Sequence, residues 1–144
     1  MKPIVITILF SFLLISCKKE IDTIKYGQDL CVECKMTIMD NKYGAALMSN
    51  KGKTYKFDSA ECMAHYINEG KIPEAEVFVM KVSDHASPGT MIDAASAHFL
   101  HSQFLPSPMG AYLTALSSEE SLKSYISRFN GEAWTWQDAR NNLK

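Results

Sequence analysis

Residues 43–67 read Tyr43-Gly-Ala-Ala-Leu-Met-Ser49-Asn-Lys-Gly-Lys-Thr54-Tyr-Lys-Phe57-Asp-Ser-Ala-Glu-Cys62-Met-Ala-His65-Tyr-Ile67. Two short β-forming runs flank the turn Asn50-Lys51-Gly52-Lys53, which is a hairpin signature with glycine in the turn. Asp58-Ser59-Ala60-Glu61 then supplies an N-cap and a capping-box acid, and Met63, Tyr66 and Ile67 carry the three-four spacing of a buried helical face. Gly70 closes that helix, and the alternating β-formers of Glu76 to Val82 make the next strand. The order is strand, strand, helix, strand.

Downstream the plan repeats. Ala97-His98-Phe99-Leu100 and Ala111-Tyr112-Leu113-Thr114 are strand candidates, and Ser117-Ser118-Glu119-Glu120 is a second capping box. Leu122, Tyr125, Ile126 and Phe129 form an apolar helical face that ends at Gly131, and Glu132 to Trp136 reads as the closing strand. Phe57-Asp-Ser-Ala-Glu laid over Leu116-Ser-Ser-Glu-Glu brings Tyr66-Ile67 onto Tyr125-Ile126 without a gap. The fold class expected is α+β, built of two ββαβ units: lobe one over about 31–82 and lobe two over about 92–140. The polar, Pro/Gly-bearing stretch Ser83 to Thr90 joins them.

Ahead of this domain, Lys2 and the apolar run Ile4 to Ile15 form a signal peptide, residues 1–16. The run is too short to cross a bilayer as a helix. Leu14-Ile15-Ser16-Cys17 resembles a bacterial lipobox, with Cys17 the lipidated first residue of the mature chain. Residues 17–29 are then the lipidated cysteine and a tether, and the fold is expected to start near Leu30 and to run over 30–144. Lasting membrane attachment follows from more than one acyl chain.

With 15 Lys and Arg against 16 Asp and Glu in 144 residues, the chain carries no basic excess. Nucleic acid is therefore not an expected partner. No Ser/His/Asp set, phosphate loop or suitably spaced carboxylate pair is present, so the chain is not expected to be an enzyme; Asp93 and Asp138 read as caps.

The unusual element is sulfur, with four Cys and eight Met. Cys31-Val-Glu-Cys34-Lys-Met36 places two thiols and a thioether within six residues. Soft ligands of this kind select Cu(I), for which a thioether suits better than it suits Zn(II). Pro106-Ser-Pro-Met109-Gly110 brackets a second thioether in a rigid turn. Cys31-x2-Cys34 followed by Cys62-x2-His65 also matches a treble-clef layout, so a structural zinc site of Cys31, Cys34, Cys62 and His65 stays open. So does a CxxC disulfide or thiol-disulfide oxidoreductase. Met63 and Met80 are expected in the core, with Met39 and Met48 leaning the same way. His98 and His101 are weaker ligand candidates, and His85 is expected to be solvated. Trp134 and Trp136 are expected to alternate along one strand.

Asp29-Leu-Cys31-Val-Glu-Cys34-Lys-Met36-Thr-Ile38, Ile92-Asp-Ala-Ala-Ser-Ala-His98-Phe99 and Pro108-Met109-Gly110 resemble, in that order, the Cys-x-x-Cys-Gly-Met-x-Ile, Ile-Asp-Ala and Met-Gly segments of the NosL family. The resemblance implies a Cu(I)-binding lipoprotein of the cell envelope, anchored on an inner or outer membrane facing the periplasm, or at the cell surface. It implies a copper chaperone whose partners are nitrous oxide reductase and its maturation and transport machinery in denitrification. It also implies two lobes similar to part of organomercurial lyase. Carried onto this chain, the metal residues are Cys31, Cys34, Met36 and Met109, with Cys62 and His65 behind them. Lys35 stands where the family has Gly.

Overall fold

The computed structural model describes residues 19–143, so the signal peptide and Cys17 lie outside the described residues. The first unit opens with the hairpin β1 (Ala45–Ser49) and β2 (Thr54–Phe57), in register Ala45 opposite Phe57. Helix α1 (Ala60–Asn68) follows, then a short 3-10 turn (Glu74–Glu76) and β3 (Val77–Ser83). After the connection come β4 (Met91–Asp93), β5 (His98–His101), β6 (Leu113–Leu116), α2 (Glu119–Phe129), β7 (Glu132–Trp134) and α3 (Trp136–Asn142).

The expected repeat is present in the topology. One sheet runs β2-β1-β3-β4 and the other β6-β5-β7, all antiparallel. In each unit the first strand is central, flanked by its hairpin partner and by the strand that returns after the helix. Ser59 and Ser118, matched in the sequence overlay, are the two N-caps; each side-chain oxygen accepts a backbone N–H three residues on, from Cys62 and Ser121. At the other end of α1, Gly70 N–H donates to Ile67 O and Lys71 N–H to Tyr66 O, the paired bonds of a Schellman stop. Gly70 takes φ 70°, which glycine adopts at little cost.

Both units pack on one continuous core that joins Leu47, Phe57, Met63 and Val82 to Phe99, Leu113 and Trp136. A smaller cluster of Leu100, Leu116 and Leu122 lies under α2.

Several expectations need correction. Residues 91–93 do not begin the second lobe; they form β4 and extend the first sheet, Ile92 pairing with Val82. The second hairpin strand begins at Leu113, two residues later than expected, because Tyr112 turns out of the strand with φ 62°. The closing strand ends at Trp134, and Trp136 instead starts α3, where Thr135 and Asp138 form a reciprocal capping box. Asp138 is thus a cap, as expected, and Asp93 likewise accepts from the Ala95 N–H in a turn.

The stretch after Lys18 is not a free tether. Ile24 is 6% exposed and belongs to the core. Lys19 Nζ donates to Asn50 O at 2.7 Å, Asp22 N–H to Thr54 Oγ1 at 3.2 Å, and Lys56 Nζ to Thr23 O at 2.8 Å. Gly44 leaves room for Tyr26, whose hydroxyl would sit 2.6 Å from an added Cβ. The packed domain therefore begins near Lys19, ahead of Leu30. Replacing Ile24 with Ala removes a buried branched side chain and is expected to lower unfolding stability by about 2–4 kcal/mol; denaturant titration checks this, and no loss of stability would show the segment to be undocked.

Candidate metal centre

Cys31 and Cys34 sit on a tight knuckle. Leu30 and Thr37 form an isolated antiparallel bridge, Cys31 N–H donates to Met36 O at 2.8 Å, and Lys35 N–H donates to Cys31 O at 3.0 Å. The Cys34 N–H points at Cys31 Sγ at 3.5 Å. The turn requires a left-handed residue, and Lys35 occupies it with φ 65°. A side chain with a Cβ in that conformation costs roughly 1 kcal/mol, so Lys35 holds under strain a backbone shape that glycine adopts freely. Lys35 Nζ donates to Val32 O across the same turn.

The knuckle is fastened to the first sheet. Val32 N–H donates to Lys56 O at 2.9 Å, and Asp29 pairs with Lys56 Nζ at 2.7 Å. Two residues beyond β2 the chain reaches the N-cap Ser59 and then α1, so Cys62 lies in the first turn of that helix. Its N–H is capped by Ser59 Oγ at 3.4 Å. The result is that Cys31, Cys34 and Cys62 bring their sulfurs within 4.8 Å of one another. All three are free thiols in this structure, so the alternative of a Cys31–Cys34 disulfide is not the form seen here. Cys31 and Cys62 are buried and Cys34 is half-buried, so the cluster opens to solvent on the Cys34 side.

The charge balance of the cluster is uneven. The Cys31 thiol is drawn from its usual 9.0 down to about 5, first by the Cys62 thiol donating to its sulfur, then by the backbone amides of Cys34, Asp58 and Glu33 against the opposing effect of burial. Cys62 moves the opposite way, raised chiefly because it donates to Cys31. Burial raises Cys34. Burial, and then the neighbouring Cys31 charge, lift the Asp58 carboxyl. The positive end of α1 favours the one negative charge held here.

Met36 and Met109 lie outside the three-thiol core as exposed side chains, at 57% and 42%. Met36 is two residues from Cys34 on the knuckle. Met109 rides a turn closed by Gly110 N–H to Ser107 O at 3.0 Å. His65 does not join the sulfurs; it lines a surface pocket with Asn68, Glu69 and Arg140. His101 stacks on Trp134 with ring centroids 4.1 Å apart. His85 is not solvated: it packs edge-on between Tyr43 and Tyr125, its Nδ1 lies 3.0 Å from the Tyr125 hydroxyl, and burial lowers its pKa. Met48 and Met63 are buried, whereas Met39 is exposed. Glu61 and Asp58, both buried beside the cluster, carry no sequence signal of that role, since acids at a helix start ordinarily face water.

The NosL family model matches residues 23–143. Among solved structures, the crystal structure of the copper chaperone NosL from Shewanella denitrificans is similar, with a TM-score of 0.71 and 17% identity, covering 84% of this chain and 96% of that one. That likeness extends to the fold. No curated protein matches the chain.

A depressed thiol in the folded state contributes stability that is complete above the unfolded value near 9 and is lost as pH falls through about 5. A raised thiol acts in the other direction and removes stability above about 9. Metal-free stability from this cluster should therefore rise from pH 5 towards 9 and fall beyond it. Ultraviolet thiolate absorbance is expected to show one group titrating near 5, absent in Cys31→Ser; titration of all three thiols together at the ordinary value would contradict the assignment.

Proposed function

The chain belongs to the NosL family, and from that premise we propose that it is a Cu(I)-binding lipoprotein of the cell envelope and a copper chaperone, not an enzyme. The observation that carries this is the trio of free thiols, with no His or carboxylate joining them among the described residues. A thiolate–metal bond of about 2.3 Å sets the sulfurs of one ion roughly 4 Å apart, so sulfurs within 4.8 Å fit a shared ion. A closed structural zinc site needs a fourth ligand, and His65, the candidate for it, lies elsewhere. Three sulfurs suit Cu(I), which accepts low coordination.

Cys31, Cys34 and Cys62 hold the ion, and the thioethers of Met36 and Met109 flank its exposed side. Loading displaces the remaining thiol protons, so affinity falls as pH drops. Release proceeds by ligand exchange: an incoming sulfur or imidazole of the acceptor binds the ion from the Cys34 side, and Cys34 or a thioether departs. The acceptor we propose is nitrous oxide reductase or its maturation machinery.

Cys17 carries the lipid. One residue separates it from Lys19, a reach of about 7 Å, and Lys19 is bonded to the β1–β2 turn at Asn50. That turn and the exposed Phe78, whose ring lies 5.5 Å from Lys19 Nζ, then face the bilayer. The sulfurs lie towards the opposite end of β2, where Lys56 holds the knuckle, and in the proposed arrangement they face away from the bilayer.

Anaerobic titration is expected to give one Cu(I) per chain, lost on Cys→Ser substitution at 31, 34 or 62. Met36→Leu and Met109→Leu should weaken Cu(I) without altering Zn(II) binding; equal effects on both metals, or none on either, would contradict the copper assignment. Mass spectrometry of the mature N-terminus should find acyl chains on Cys17, and an unmodified Cys17 would remove the anchor.

A further inference from the structure

We propose that Glu61 is a positioning residue that fastens the Met109 loop to the metal end of α1, a role that rests on the copper assignment above and deepens it. Glu61 is fully buried in the first turn of the helix and is followed directly by Cys62. Its carboxylate accepts from Ser107 Oγ, from Leu113 N–H at 3.0 Å, and at longer range from Ser59 Oγ at 3.5 Å. Among the described residues it forms no ion pair.

Ser107 and Leu113 are the two ends of the loop that carries Met109. The Ser107 hydroxyl, while donating to Glu61, accepts the Tyr112 N–H at 2.8 Å. One carboxylate oxygen and one hydroxyl therefore close the loop on both sides. Between them, Gly110 at φ 72° and Tyr112 at φ 62° hold left-handed conformations. For Tyr112 that conformation is strained, and it persists where surrounding bonds impose it. On the entering side, the Tyr43 hydroxyl donates to Pro106 O at 2.9 Å.

A buried carboxylate is costly unless its oxygens are hydrogen-bonded, and backbone pairing alone could have closed this loop. The use of the residue adjoining Cys62 instead ties the position of Met109 to the helix turn that presents a thiol. Glu61 does not ligate the ion itself, since it stands outside the group of gathered sulfurs. It sets where the thioether of Met109 sits when copper arrives.

The test is a double-mutant cycle on the full chain, read as Cu(I) affinity under anaerobic competition. Ser107→Ala, which removes one hydroxyl, should lower affinity roughly 10–100-fold, the range for loss of a group that orients a ligand. Met109→Leu, damaging in the unaltered chain, should add nothing in the Ser107→Ala background. Glu61→Leu should behave like Ser107→Ala, while Glu61→Gln, which keeps an acceptor oxygen, should bind nearly as the unaltered chain does. A purely structural Glu61 would give losses that multiply with that of Met109→Leu, and that result overturns the proposal even if Glu61→Leu fails to fold, because Ser107→Ala carries the same test. If Met109→Leu is harmless in the unaltered chain, the ligand assignment itself falls, which is a separate outcome from failure of the latch.

Discussion

Three sulfur atoms have to be held within 4.8 Å of one another without closing into a disulfide, and the rest of the molecule is arranged around that constraint. Two backbone devices meet to satisfy it. The knuckle from Leu30 to Thr37 turns Cys31 and Cys34 inward through its own hydrogen bonds. The first turn of α1 delivers Cys62 together with the partial positive charge of a helix start. Neither device suffices alone; β2 joins them, because Lys56 anchors the knuckle and Phe57 leads into the helix cap. A single negative charge on Cys31, steadied by amides and by the Cys62 thiol, keeps the metal-free cluster from repelling itself apart.

The asymmetry of burial gives the centre a direction. Cys31 and Cys62 are buried and Cys34 is half-open, while Met36 and Met109 are exposed side chains. The proposed carrier role needs a firm hold that can be exchanged from one side, and two buried sulfurs beside a half-open Cys34 supply both. Leu30 and Met36 on the knuckle, and Met39 just after it, are exposed apolar side chains of the kind suited to contact with a partner.

Much of this was legible in the chain. The hairpin around Gly52, the apolar faces of α1 and α2, and the doubled ββαβ order all follow from local turn chemistry and periodicity, although the caps fall on Ser59 and Ser118, one residue later than the capping boxes read from Asp58 and Ser117. What escaped depends on tertiary contact. Ile21 and Ile24 show no periodic pattern because they dock from an extended segment, so the start of the domain was placed too late. Helix α3 is only seven residues and mostly polar, and its Thr135-x-x-Asp138 cap was hidden beside two Trp that suggested a strand. For His85, polar neighbours in a loop pointed to solvent, while the two tyrosines that enclose it come from distant positions. At the site, the spacing of Cys31, Cys34 and Cys62 was visible, but nothing in Cys62-x2-His65 foretold that the imidazole turns away to line another pocket. Glu61 looked like an ordinary helix-start acid because its partners, Ser107 and Leu113, lie about fifty residues downstream.

X-ray absorption of the copper-loaded chain tests the central claim most directly, because it counts sulfur against lighter neighbours around the ion. The account predicts a Cu(I) edge and a first shell of sulfur only, with the thiolates of Cys31, Cys34 and Cys62 at about 2.3 Å. A first shell dominated by nitrogen or oxygen, or one unchanged after Cys62→Ser, would contradict it.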